Sequence, residues 1–230
     1  VNQLIEGGNI FIFNEESAIL NSAIHDVIEH LIAGLESKDI YTSGHSARVG
    51  DMSYLLGKKL GLAGIELEKV HIAAHLHDIG KIKIPASIIK KPGPLSRKEW
   101  EEIKRHPDYG HDILTQSRYL KTYAQIVRHH HERWDGNGYP AGLKGEEIPL
   151  GSRIIAICDT VDAMTFNRPY RKAFSLEETL REIKLNQGKQ FDPAILEAAV
   201  EMWPLFEKQY GMPGSDLHKA SDYLIENCTH

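Results

Sequence analysis

The run from Ile65 to Lys81 constrains this chain most. An apolar helical stretch ends in His77-Asp78, with Ile79-Gly80-Lys81 and Ile84-Pro85 directly after it. Adjacent helical positions lie about 100° apart, so both side chains can lean into one pocket. A neutral imidazole nitrogen beside two anionic oxygens is half of a site for a divalent transition metal. The second oxygen of Asp78 could bridge to another ion. Gly80 is expected to lead the chain off the helix through a left-handed turn. Lys81 would then return near the pocket, where its cation would meet a phosphate. A chance His-Asp pair at a helix end reads the same way locally, so the rest of the chain has to decide.

Histidine is the anomaly in the composition. There are thirteen, nine of them between His45 and His131, and the default physical reason for such a concentration is metal. At 230 residues the chain can bury a substantial core. A net charge of −5 gives no electrostatic case for a nucleic-acid polymer as ligand. Cys158 and Cys228 make no disulfide framework, which suits a reducing, cytoplasmic compartment. No apolar run approaches the roughly 20 residues of a membrane span, and no signal-peptide pattern is visible. A start at Val1 suggests a chain cut from something longer, with a sensor domain upstream.

Apolar spacing predicts a succession of helices. Residues 1–16 form a strand or hairpin remnant around Asn9 to Phe13. A packing helix follows, from about Ser17 to Leu35. The next begins near Thr42 or Ser43 and places His45 on its first turn. The helix ending in His77-Asp78 comes next, and then a proline-rich connector from Ile82 to Pro94. Ser96 with Glu99, and Ser175 with Glu178, are capping boxes. Pro107 would force His106 out of helical geometry at a sharp break. His129, His130 and His131 on a helix would fan over about 200°, so two of them could share one site. A turn-rich loop from Asp135 to Pro140 offers the Tyr139 ring as a stacking surface for a base. Pro149 opens a helix with Asp159 and Asp162 on roughly one face. An aspartate beside its isoleucine stripe is costly unless paired or metal-bound. Asp192-Pro193 starts a further helix. The tail 211–230 carries no usable signal.

In order, these motifs resemble the HD-GYP family of cyclic-dinucleotide phosphodiesterases. The matching text is Lys38 to Val49, His77-Asp78-Ile79-Gly80-Lys81, Ile103 to Pro107 with Gly110, His130-His131-Glu132, and Asp135 to Pro140. Ile148-Pro149-Leu150, Arg153, Asp159, Asp162 to Thr165, Arg168 to Arg171, and Phe191-Asp192-Pro193 complete it. The resemblance implies an all-α fold, an HD phosphohydrolase bundle with added helices around the Gly-Tyr-Pro loop, filling residues 17–210. It implies two divalent ions, iron or manganese first, nickel or zinc as alternatives. Their ligands would be His45, His77, Asp78, His106, His130, His131 and Asp159, with Asp78 bridging. The division of His106, His130 and His131 between the ions is left open. Lys81 would stabilise the charged phosphoryl group while hydroxide attacks phosphorus in line and the ribose 3′-oxygen leaves. Lys81, Gly138, Tyr139, Asp162, Arg168 and Arg171 would hold the dinucleotide. His71, His75 and His129 match no ligand position and read as packing or surface residues.

Hydrolysis of cyclic di-GMP to linear pGpG, and on to GMP, is the first reading. Alternatives are another cyclic dinucleotide such as 3′,3′-cGAMP, a non-catalytic module that senses the dinucleotide or docks on a diguanylate cyclase (GGDEF) protein, and an HD nucleotidase. A homodimer is left open. Some family members bind a third ion through a glutamate four residues before the first histidine ligand. Tyr41 stands there in this chain, so two ions are expected.

Overall fold

The computed structural model describes residues 3–6, 9–12, 15–36, 44–166 and 173–210, with side chains described within 25–36, 44–166 and 173–208. A two-stranded antiparallel hairpin, β1 (Gln3–Glu6) and β2 (Asn9–Ile12), pairs Gln3 with Ile12 and Glu6 with Asn9. Among the described residues the other elements are helical. They are α1 (Glu15–Glu36), α2 (His45–Lys59), α3 (Gly64–Leu76), α4 (Ala86–Ile89), α5 (Arg97–Ile103) and α6 (His106–Thr115). Then come α7 (Ala124–Arg128), α8 (Leu150–Thr165), α9 (Leu176–Leu185), α10 (Pro193–Glu201) and α11 (Trp203–Tyr210). The N-cap of α2 is Gly44 and not the expected Thr42 or Ser43, which lie outside the described residues together with Tyr41, Arg168, Arg171, Cys228 and the tail from 211.

α3 is the central helix. From Val70 to Leu76 every residue is buried, against α1, α2, α7 and α8. Val49, Met52 and Leu56 of α2 and Ile154, Ile155, Ile157 and Val161 of α8 close the core around it. Each such side chain contributes about 1.5–3 kcal/mol relative to exposure. A helix buried all round brings its polar residues inside with it, which is how His71, His75 and His77 become interior groups.

Local chemistry sets the other boundaries. Ser96 and Ser175 make complete capping boxes with Glu99 and Glu178. Asp192 caps α10 through the Ala194 amide at 2.9 Å. Its other oxygen takes Arg153 of α8 at 2.6 Å, tying the last helices to the core.

Three local expectations are corrected. Gly80 is not left-handed. It lies in the 3-10 turn Ile79–Lys83, and a Cβ there would stand 2.0 Å from the His106 carbonyl oxygen and 2.5 Å from the Gly110 nitrogen. Glycine is needed for close approach. His106 is not expelled from helical geometry, because Pro107 occupies the first turn of α6, where its missing N–H is no loss. His129 to His131 do not continue a helix. α7 stops at Arg128 and they form the turn after it, so the fan-out limit does not apply.

Candidate metal centre

Five separate segments deliver seven polar side chains to one buried point. His45 comes from the first turn of α2, and His77-Asp78 from the exit of α3. His106 opens α6, His130-His131 follow α7, and Asp159 lies on α8. His45, His77 and Asp78 form one group whose donor atoms lie within 4.8 Å of one another, and His106, His130 and His131 form another. Asp78 stands between them. Its Oδ2 is 3.4 Å from His77 Nε2 and 3.8 Å from His45 Nε2, while its Oδ1 is 3.3 Å from His106 Nε2. Asp159 Oδ1 adds a second carboxylate 3.4 Å from His45 Nε2.

The rings are held from behind. The Nδ1–H groups of His77, His106 and His130 donate to the carbonyls three residues back, Ala74 at 2.7 Å, Ile103 at 2.8 Å and Val127 at 2.6 Å. His45 Nδ1–H donates to Asp162 Oδ2 at 2.7 Å. Each bond fixes the ring and turns Nε2 inward. The Nε2 atoms of His45 and His77 approach to 3.3 Å, and those of His106 and His130, which face each other as lone pairs, do the same. Lone pair against lone pair is repulsive unless something positive lies between. Nitrogens on one tetrahedral ion stand about 3.3–3.4 Å apart. The donor set fits divalent cations.

The protonation states agree. Burial, then the neighbouring His131, push His130 well below the ordinary imidazole range. Burial lowers His131 to about 3, and it outweighs Asp78 to lower His106 to about 4. Burial opposes ionisation of Asp78 and Asp159, but the cations and rings around each win and hold both below the usual carboxylate range. His77 is the exception. Burial would lower it, yet Asp78 and Asp159 carry it up to about 9. It is the proton that a metal would displace.

The expected substrate residues divide. Lys81 makes a short ion pair with Asp78 Oδ2 and is partly exposed. Tyr139 lies over His131, with ring centroids 4.9 Å apart and 32° between planes. Gly138 packs edge-on against backbone, since a Cβ would meet the Arg133 nitrogen at 2.4 Å. Asp162 departs from the expectation of ligand contact. It is 2% exposed, and its oxygens are taken by His45 and by Arg48, whose Nη2 lies 3.1 Å from Oδ2. Its place is behind His45. A cavity of about 290 Å³ opens beside Asp78 and Lys81, walled by Ile32, Ile84 and Ile89 among others.

Two residues here escaped the sequence reading. Arg48 is buried, pairs with Asp162 and stacks 3.6 Å above the Phe166 ring. Glu132 accepts from the amides of Ala141 at 2.7 Å, Gly142 at 3.1 Å and Leu143 at 3.1 Å. That buried carboxylate folds the 133–143 loop back so that Tyr139 reaches His131. Its signal was its position directly after His131.

The family model of the HD domain matches residues 29–195. A cyclic di-GMP phosphodiesterase of Thermotoga maritima is 41% identical over 181 residues, covering 78% of this chain and 49% of the relative. The 3′3′-cGAMP-specific phosphodiesterase 2 of Vibrio cholerae is 35% identical over 189 residues, covering 81% and 36%. The chain thus spans half or less of the length of these curated relatives. The solved structure of an HDG"Y"P protein from Bdellovibrio bacteriovorus superposes with a TM-score of 0.60 at 16% identity, covering 80% of this chain and 63% of that one, which supports the fold. HD-domain phosphohydrolases are metal-dependent, and the paired His/Asp groups are in keeping with that. By its match along most of the bundle, the chain belongs to the HD domain family.

Proposed function

We propose that residues 17–210 form the catalytic domain of a metal-dependent phosphodiesterase that hydrolyses cyclic di-GMP to linear pGpG and on to GMP. The observation that carries this reading is Asp78, with one oxygen toward His45 and His77 and the other toward His106. His45, His77, Asp78 and Asp159 would hold one ion. His106, His130, His131 and Asp78 would hold the other. When bound, the two ions acidify a water and neutralise phosphate oxygens. Mixed imidazole and carboxylate donors suit iron or manganese, and also accept nickel or zinc.

The chain's own groups do the rest. Lys81, beside Asp78 and open to the cavity, meets the charge growing on a non-bridging phosphate oxygen. Tyr139 offers a flat face to a base, while Glu132 keeps its loop in place. Asp162 acts through His45 by fixing the ring. Arg168 and Arg171 complete the reading as phosphate or guanine-edge contacts. A cytoplasmic setting, an upstream sensor domain and docking to a diguanylate cyclase belong to the same proposal.

The test is anaerobic purification, metal analysis, and chromatography of products from cyclic di-GMP and from 3′,3′-cGAMP. We expect pGpG from the first, with Asp78→Asn inactive. Preference for 3′,3′-cGAMP would reassign the substrate. No hydrolysis of either by protein carrying two ions would overturn the reading.

A further inference from the structure

A third convergence of imidazoles lies away from the site just described. His71 and His75 occupy one face of α3 a turn apart, and His25 reaches them from α1. Their donor atoms all lie within 4.8 Å of one another. His75 Nε2 is 3.1 Å from His25 Nε2 and 3.2 Å from His71 Nε2. We propose that His25, His71 and His75 form a separate transition-metal site that fastens α1 to the helix bearing His77-Asp78.

The argument begins with proton counting. A ring nitrogen has one in-plane valence, a lone pair or an N–H. His75 Nε2 can therefore satisfy one of its two imidazole neighbours. The other contact is left as lone pair against lone pair, or N–H against N–H. A cation takes all three lone pairs together. The spacing agrees, since imidazoles on a tetrahedral zinc stand about 3.3–3.4 Å apart, within tenths of an ångström of these contacts. It is also the spacing of the His45–His77 and His106–His130 pairs, at 3.3 Å each.

The surroundings make room for the cluster. α2 passes it at Gly50, where a Cβ would stand 2.6 Å from His75 Nε2, so a residue with any side chain would push into the donor atoms. His71 is buried and held well below the ordinary imidazole range, by burial first and then by His75 and His25, which keeps its lone pair available at neutral pH. Three nitrogens without a carboxylate among them select zinc, copper, nickel or cobalt over manganese or magnesium. This preference differs from that of the paired sites, whose imidazoles are joined by Asp78 and Asp159. His75 also lines the cavity beside Asp78. An ion on it would fix the wall that α1 contributes to that cavity.

The experiment reads metal content and spectra, without relying on turnover. The full chain is loaded with zinc or cobalt(II), freed of excess and assayed for metal per chain. His25→Ala and His71→Ala should each lose one ion and keep the others. In a His77→Ala, Asp78→Ala, His106→Ala, His130→Ala background, which removes both ions of the paired centre, one cobalt with the intense visible absorption of a four-coordinate ion should remain, and adding His25→Ala should abolish it. In that background, zinc at a hundredfold excess over Kd should raise Tm by about 5–10 °C, and His25→Ala should remove the rise. If His71→Ala fails to fold, the half-buried His25 carries the test, with circular dichroism as the check. A folded His25→Ala chain that keeps the full metal complement and the cobalt spectrum would overturn the proposal.

Discussion

Gly80 lies where the turn after α3 presses on the first turn of α6, and adding one methyl there tests the geometry of the whole centre. In Gly80→Ala the Cβ would start 2.0 Å from the His106 carbonyl oxygen, against a floor of 3.0 Å for real Cβ contacts. The two segments must therefore part by about 1 Å. Both partners are backbone, so no side chain can swing aside, and the penalty belongs at the upper end of overpacking, about 3 kcal/mol. The same ångström opens the 3.3 Å approach of Asp78 Oδ1 to His106 Nε2. Misplacement on that scale costs about 100-fold in rate. Urea denaturation, metal content and turnover on one preparation measure all three effects. Gly34→Ala is the control. Its Cβ meets nothing within 4 Å, and it should be stabilising by about 0.5–1 kcal/mol through helix propensity. A Gly80→Ala protein with wild-type stability, metal content and rate would refute the claim that this close approach holds the two halves together.

Asp162→Asn should weaken metal affinity about 10–100-fold through His45 while leaving KM unchanged at saturating metal; a raised KM with normal metal content would return Asp162 to substrate contact. Asp51 is raised to about 7, by burial first and then by Glu29. The folded chain therefore binds more protons than the unfolded one between about pH 4 and 7, and stability falls as pH rises through that window. In metal-free protein, Asp51→Asn should stabilise by roughly 1–4 kcal/mol at pH 8 and by almost nothing near pH 4. Equal effects at the two pH values in urea titrations would show that the shift is absent.

Periodicity and capping residues made the helices legible, because those signals are local. Ser96, Ser175 and Asp192 cap the helices they were expected to cap. What depended on a neighbouring element was harder to read. Asp159 and Asp162 share a face of α8, and only the position of α2 decides that one meets the imidazole cluster while the other supports His45 from behind. Helical spacing alone could not say which two of the three histidines after Arg128 share a site, because α7 stops before them. His71 and His75 were set aside as packing residues although their spacing put them on one face. The missing part was His25, which joins them only through the docking of α1. Gly80 was read as a turn former because glycine's conformational freedom is a local property, whereas the carbonyl it accommodates belongs to another helix.

The bonds from His77, His106 and His130 to carbonyls three residues behind them bear on how the centre exchanges its metal. Each ring has lost its rotational freedom during folding, before any ion arrives, so capture freezes few further torsions. Filling should then be limited by the ion shedding its water and by departure of the His77 proton, with no slow rearrangement of the chain. A cage set in advance by its own backbone imposes little redox or size selection of its own beyond its donor types. The occupant then follows the supply of metal at the moment of folding, and the same polypeptide can be isolated with different ions from differently fed cells.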